Sequence, residues 1–165
     1  MRQILYFAIA ALLIGAFVPK LYGDRTAIAP TETALAATPA PDGGRQTVIA
    51  QSANGHFQTE ASVDGRRIDF MVDTGASMIA LRQRDANRLG IFPSPADYTA
   101  LVATANGNVK AARVQLRRVD VGGVTVRDVA ALVLPDQALG QNLLGMSFLS
   151  KLQWQQKNGK LVLEQ

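Results

Sequence analysis

The sequence predicts a mainly β domain, a small barrel or sandwich of many short strands. Strand-like alternation recurs along most of the chain after residue 46. Glycine turn signals stand between the runs, at Asp64-Gly65, Asn106-Gly107 and Gly122-Gly123, and only brief stretches carry helical spacing.

The elements follow in order. Met1, Arg2 and Gln3 precede an unbroken apolar run, Ile4 to Val18. A basic start before such a run reads as an export or anchoring segment, residues 1–22. A membrane span needs about 17–25 apolar residues, so this run spans only if Leu21 and Tyr22 are recruited past Pro19 and Lys20. A small-x-small cleavage site exists at Ala27 to Ala29 but lies late, beyond Asp24 and Arg25. We read an uncleaved anchor, with a cleaved signal as the alternative. Residues 23–46, rich in Ala, Thr and Pro and without periodicity, read as a flexible linker. The folded domain is residues 47–165.

Within it, "HFQTEASVDGRRIDFMV" holds two strands joined at Asp64-Gly65. Leu81, Ala86 and Leu89 suit a short helix stopped by Gly90. "YTALVATANGNVKAARVQL" is a second hairpin, turning at Asn106-Gly107. Val119, Val121, Val124, Val126 and Val129 alternate about a turn at Gly122-Gly123. "NLLGMSFLSKLQW" begins as a strand and continues as a short helix, and "GKLVLEQ" is a last strand.

Composition removes several kinds of chemistry. The chain has 165 residues, 48% of them hydrophobic, which suits one globular domain with attachments. It has no cysteine, which excludes disulfides and thiol chemistry. A single histidine, His56, is incompatible with a multi-histidine metal site, and no spacing suggests other metal ligands or a cofactor. The net charge is +4, but the arginines are scattered among acids with few aromatics between them. That is a solvated basic surface and no nucleic-acid partner is expected. His56 reads as a strand residue near the surface, Trp154 as core or interface. Asp120, Asp128 and Asp136 read as turn and surface residues, and Asp69 as a partner for a nearby arginine.

One stretch resists such bland readings. In "RIDFMVDTGASMIALR" an apolar strand runs into Asp73, followed by Thr74, Gly75, Ala76 and Ser77. A charge at the end of an apolar strand is expensive unless it is solvated or used. The bland reading is a turn aspartate. Against it stands "NLLGMSFL", with Leu143, Leu144 and Gly145, about seventy residues further on.

Together these two motifs resemble a known family. "FMVDTGAS" looks like the active-site motif of aspartic proteases, and "NLLGMSFL" resembles their second element, two apolar residues and a glycine before a short helix. A single Asp-Thr-Gly in a short domain matches the retropepsins. With the leading apolar segment and linker, the chain looks most like bacterial membrane-anchored, single-domain retropepsin-like proteases. The resemblance covers Ile49 to the end. It implies a closed β-barrel of the acid-protease fold, half of a two-fold dimer, with one or two short helices. It also implies a single-pass protein of the bacterial inner membrane with its protease domain in the periplasm.

The resemblance implies roles as well. Asp73 would be the catalytic acid, paired with Asp73 of a second copy. Two such carboxylates titrate in coupled steps, so an acidic to near-neutral optimum is expected. Thr74 would hydrogen-bond across the dimer, Gly75 would leave room for substrate, and Ala76 and Ser77 would line the cleft floor. Ser77 either binds substrate backbone or satisfies its own loop. Thr104, Ala105, Asn106, Gly107 and Asn108 sit where retropepsins carry the flap, although Asn-Gly also marks an ordinary turn. The substrate would be an extended polypeptide.

Many viral enzymes have Asp at the place of Ser77 and Arg at the place of Met146. Both halves of that ion pair are missing here, which leaves open how the dimer is braced. A non-catalytic peptide-binding or dimerisation module on the same fold is the alternative function.

Overall fold

The computed structural model describes residues 44–104 and 107–165. The anchor at 1–22 and all but the last three residues of the linker at 23–46 lie outside the described residues, as do Ala105 and Asn106. No described helix is long and apolar enough to cross a membrane.

Ten strands dominate: β1 (Gln46–Ala50), β2 (Gln58–Val63), β3 (Arg66–Val72), β4 (Ile79–Arg82), β5 (Ala100–Thr104), β6 (Gly107–Val121), β7 (Val124–Leu134), β8 (Leu143–Leu144), β9 (Gln153–Lys157) and β10 (Lys160–Glu164). Two short helices interrupt them, α1 (Gln83–Arg88) and α2 (Met146–Leu149). Seven strands form one sheet in the order β2-β3-β8-β4-β7-β6-β5. A further pairing of β2 with β6, through Ser62–Asp120 and Val63–Val119, closes six of them into a barrel. The predicted closed β-barrel is therefore what the chain forms.

Local chemistry sets the turns. Asp64-Gly65, Gly122-Gly123 and Asn158-Gly159 each join two strands with both residues at positive φ. Such pairs match the right-handed twist of the strands they connect. The last of them closes a β9–β10 hairpin. β9 is not among the strands the sequence predicts, because "QWQQK" has no apolar alternation; its one sequence signal is the Asn158-Gly159 turn. Leu81 belongs to β4 rather than to the helix, since it pairs in parallel with Val133 and is fully buried. Ala86 is the buried face of α1, and Gly90 stops it.

Alternation along β7 puts side chains into two apolar clusters. Val129, Ala131 and Val133 join the barrel interior with Phe70, Ile79, Leu144 and Phe148. Leu132 and Leu134 point the other way, to Ala80, Ala100 and Ala111, with Leu139 and Leu143 packed alongside. Burying a side chain the size of Phe148 stabilises by about 1.5–3 kcal/mol, so the interior cluster holds the barrel. The second cluster forms a shelf on the outside of the sheet.

β6 is long. Its second part pairs with β7, while its first part pairs with β5 and projects beyond the barrel as the hairpin the sequence predicts. A separate sheet, β1-β10-β9, presents Ile49, Leu161 and Leu163 to the barrel interior. β10 is paired on both sides within the chain.

Candidate active site

Asp73 leaves the end of β3, and the backbone around it is stitched to the second motif. Met71 and Val72 pair in parallel with Leu143 and Leu144. The Asp73 N–H donates to the Leu144 carbonyl at 3.2 Å, and the Met146 N–H donates to the Ala76 carbonyl at 2.8 Å. The Ile79 N–H donates to Ser147 Oγ at 2.9 Å. The Gly75 N–H donates to Asp73 Oδ1 at 2.8 Å, which fixes the carboxylate over its own turn.

Gly145 is what permits this contact. A Cβ there would lie 2.2 Å from the Met78 carbonyl oxygen and 2.7 Å from that of Ala76. Only a residue without a Cβ lets the two motifs touch. Backbone bonds and the Ser147 hydroxyl join the two motifs.

Asp73, Gly75, Ala76 and Ser77 line one cleft of about 660 Å³. β5, including Thr104, and the apolar shelf with Leu132, Leu134 and Leu143 complete its lining. The Ser77 hydroxyl is exposed in this cleft, and among the described residues it makes no hydrogen bond to its own loop. Of the flap residues, Thr104 lines the cleft and its hydroxyl donates to the Gly107 carbonyl at 2.8 Å. Gly107 and Asn108 are exposed on the hairpin. Leu144 does not reach the cleft, being fully buried in the barrel.

Thr74 points elsewhere. It lines a separate hollow of about 180 Å³ with His56, Leu149 and Trp154. Trp154 is not a core residue: it is 38% exposed on β9. His56 is exposed in the loop before Phe57 rather than in a strand. Asp69 has no arginine partner among the described residues; Arg67 instead pairs with Glu60 at 3.2 Å across β2 and β3. Asp120 serves its turn as expected, accepting from Gly123 N–H and the Thr125 hydroxyl, and Asp136 accepts from Arg84 N–H. Among the described residues no three His, Asp or Glu side chains converge as a metal site would need.

A buried polar node lies behind the second motif, unsuspected from sequence. Asn142 is 2% exposed. Its amide donates to Asp85 Oδ2 at 3.1 Å and to the Asp69 carbonyl at 3.0 Å, and its oxygen accepts from Arg82 N–H at 2.9 Å. Arg82 clamps the same Asp85 oxygen at 2.6 Å and donates to the Gly140 carbonyl at 3.0 Å. The node ties β3, β4 and α1 to the segment that enters β8. Asp85 is buried on the inward face of α1, which the charge pattern of "RQRDANR" does not indicate.

Burial would raise the Asp85 carboxyl. Hydrogen bonds from Arg82 and Asn142, the Arg82 charge and a bond from Arg88 outweigh that and hold it below the ordinary aspartate value of 3.8. A lowered carboxyl contributes stability that is full above the ordinary value and is lost as pH falls through the folded value. Asp85→Ala is therefore expected to cost about 3 kcal/mol near neutrality, because it strands a half-buried arginine. The difference from the parent shrinks in strongly acidic solution. Urea midpoints of both proteins at neutral and strongly acidic pH check this; an equal deficit at both would refute it.

Fold and site together define a class. A closed barrel carries an Asp-Thr-Gly loop pinned against a Leu-Leu-Gly strand, beside an apolar cleft under a projecting hairpin. Comparison with known proteins agrees. Residues 59–151 match the family described as "gag-polyprotein putative aspartyl protease". A solved retropepsin-like aspartic protease from Rickettsia conorii is 38% identical, with a TM-score of 0.66 over 74% of this chain and 92% of that one. An uncharacterized protein in the cobV 5' region of Sinorhizobium sp is 45% identical over 68% of this chain and 48% of its own length. An uncharacterized protein of Rickettsia prowazekii (strain Madrid E) is 41% identical over 64% of this chain and 45% of its own. The chain thus spans about half the length of these two curated relatives. It belongs to the retropepsin-like aspartyl protease family.

Proposed function

We propose that the protein is an aspartic endopeptidase that works as a homodimer on extended polypeptides. The observation that carries this reading is the placement of Asp73 on a doubly pinned loop, lining a largely apolar cleft of about 660 Å³. One chain supplies one such carboxylate. A two-fold axis beside it would bring Asp73 of a second copy alongside, since a residue near the axis meets its own copy.

Two close carboxylates cannot both ionise easily, so the pair holds one shared proton. The ionised member takes a proton from a water, which attacks the peptide carbonyl carbon. The protonated member gives its proton to the carbonyl oxygen. The carboxyl that took the water's proton then gives it to the nitrogen while the other carboxylate takes a hydroxyl proton, and collapse of the tetrahedral intermediate breaks the C–N bond and restores the pair. The β5–β6 hairpin closes over the cleft, and Ser77, with no partner in its own loop, is free to bind substrate backbone. The chain supplies these groups without a cofactor.

The test compares the full-length chain with Asp73→Asn on a diverse peptide mixture from about pH 4 to about pH 8, with products read by mass spectrometry. A non-ionic detergent keeps the apolar leading segment in solution. Cleavage by the parent alone, strongest at acidic to near-neutral pH, supports the protease. A parent that binds peptides but cuts none would instead indicate the non-catalytic binding module.

In this reading the second copy packs over the hollow shared by Thr74 and Trp154. The hollow flanks the Asp73 loop, and Trp154 is a large apolar group left partly in water. Trp154 is the only tryptophan in the chain, so its emission reports this surface alone. We expect the emission to shift to shorter wavelength as protein concentration rises, in step with specific activity. Dimers detected by sedimentation with unchanged emission would put the interface elsewhere.

A further inference from the structure

The cleft beside Asp73 contains one other charged residue among its described lining residues, Arg113. Strand register puts it there. Arg113 pairs with Leu132 across β6 and β7, and Leu132 lines the cleft. Its neighbours Ala112 and Val114 face the barrel interior, so alternation turns Arg113 to the shelf side. It also borders the adjoining hollow lined by Ile91, Phe92 and Asp97, which places it at the rim of the cleft.

No described carboxylate pairs with Arg113. The ion pairs of this domain use Arg67, Arg82, Arg88, Arg117 and Arg118. Asp97, which shares the adjoining hollow, is occupied by the N–H and hydroxyl of Ser94 at 2.7 and 2.8 Å. The rest of the cleft is apolar or small: Ala76, Ala80, Leu132, Leu134 and Leu143 among others. For a cation at the edge of an apolar groove, with no described carboxylate partner, the strongest complement a peptide side chain offers is a carboxylate.

We propose that Arg113 is a specificity-determining residue that binds an aspartate or glutamate side chain of the substrate, flanking apolar residues seated on the shelf. This rests on the endopeptidase reading. Two-fold symmetry then has a consequence for the cleavage pattern. A dimer carries one Arg113 on each side of the paired Asp73 residues, so the acid preference appears on both sides of the scissile bond.

The experiment incubates the full-length protein, Arg113→Gln and Arg113→Glu with a proteome-derived peptide library and aligns the cleaved sequences. The parent is expected to enrich Asp and Glu about two- to five-fold at one position on each side, the size of an exposed charge pair. Raising the salt concentration weakens the preference. Arg113→Gln abolishes it, and Arg113→Glu replaces it with Lys and Arg at the same positions. A purely structural arginine would not produce that reversal. If Arg113→Glu fails to fold, Arg113→Gln and the salt series on the parent decide the matter. Cleavage by the parent without acid enrichment, or an enrichment unchanged in Arg113→Gln, overturns the inference and leaves the protease intact. A parent that cuts nothing overturns the endopeptidase reading and this inference with it.

Discussion

Asp73→Asn is expected to abolish peptide cleavage while leaving the fold and the dimer in place. One substitution removes the general base and the general acid together, and each role is worth about 10²- to 10⁴-fold. The expected loss is therefore on the order of 10⁴-fold or more in kcat/KM. Asparagine keeps the shape of the side chain and an oxygen to accept the Gly75 N–H, which Asp73 accepts at 2.8 Å. The pinning bonds to Leu144 and Met146 are made by backbone and do not change. Urea midpoint and sedimentation profile should match the parent. Residual activity within about tenfold of the parent would mean that Asp73 is not in the chemistry, whatever the family. A parallel loss of stability would mean that the carboxylate was holding its loop.

Gly145→Ala is expected to be the most damaging single-methyl addition in the domain. The new Cβ would meet the Met78 carbonyl oxygen at 2.2 Å, the Met78 carbonyl carbon at 2.6 Å and the Ala76 carbonyl oxygen at 2.7 Å. All three are backbone atoms of the loop that follows Asp73, so no side-chain rotation relieves the contact. Overpacking of this kind costs about 3 kcal/mol. Relief by separating the two motifs would also displace Asp73, and a misplacement of about 1 Å costs roughly 10²-fold in rate. Urea unfolding and peptide cleavage read the two effects separately. Gly140→Ala is the control for stability, because a Cβ at Gly140 meets nothing within 4 Å. Equal stability of the two variants would contradict the contact between the motifs.

Much of this was legible in the chain itself, and for a local reason. Hairpin turns are written in residues that accept positive φ, so Asp64-Gly65 and Gly122-Gly123 announced their strands. Asp73 was legible because a carboxylate ending an apolar strand calls for a use, and the pairing of "FMVDTGAS" with "NLLGMSFL" pointed to that use. The order of strand then helix after Asn142 followed from its apolar spacing.

Other features depended on residues brought together from far apart. β9 has no apolar alternation, because its strand is held by pairing to β10 rather than by burial of its own side chains. Asp85 and Asn142 are 57 positions apart; each looks solvated until the barrel puts them face to face. Thr74 and Ser77 stand in one motif, yet the turn sends them into different hollows. Trp154, read as core or interface, is in no core, because its strand lies at the edge of the small sheet. The sequence alone determined the strand-rich domain, its turns and the acid with its glycine. Tertiary structure alone decided what surrounds that acid: the pinning of Gly145 against Met78, the buried Asn142 node, and Arg113 beside Leu132. Backbone preference and apolar period act over a few residues, whereas a site is made by register between strands that the sequence keeps apart.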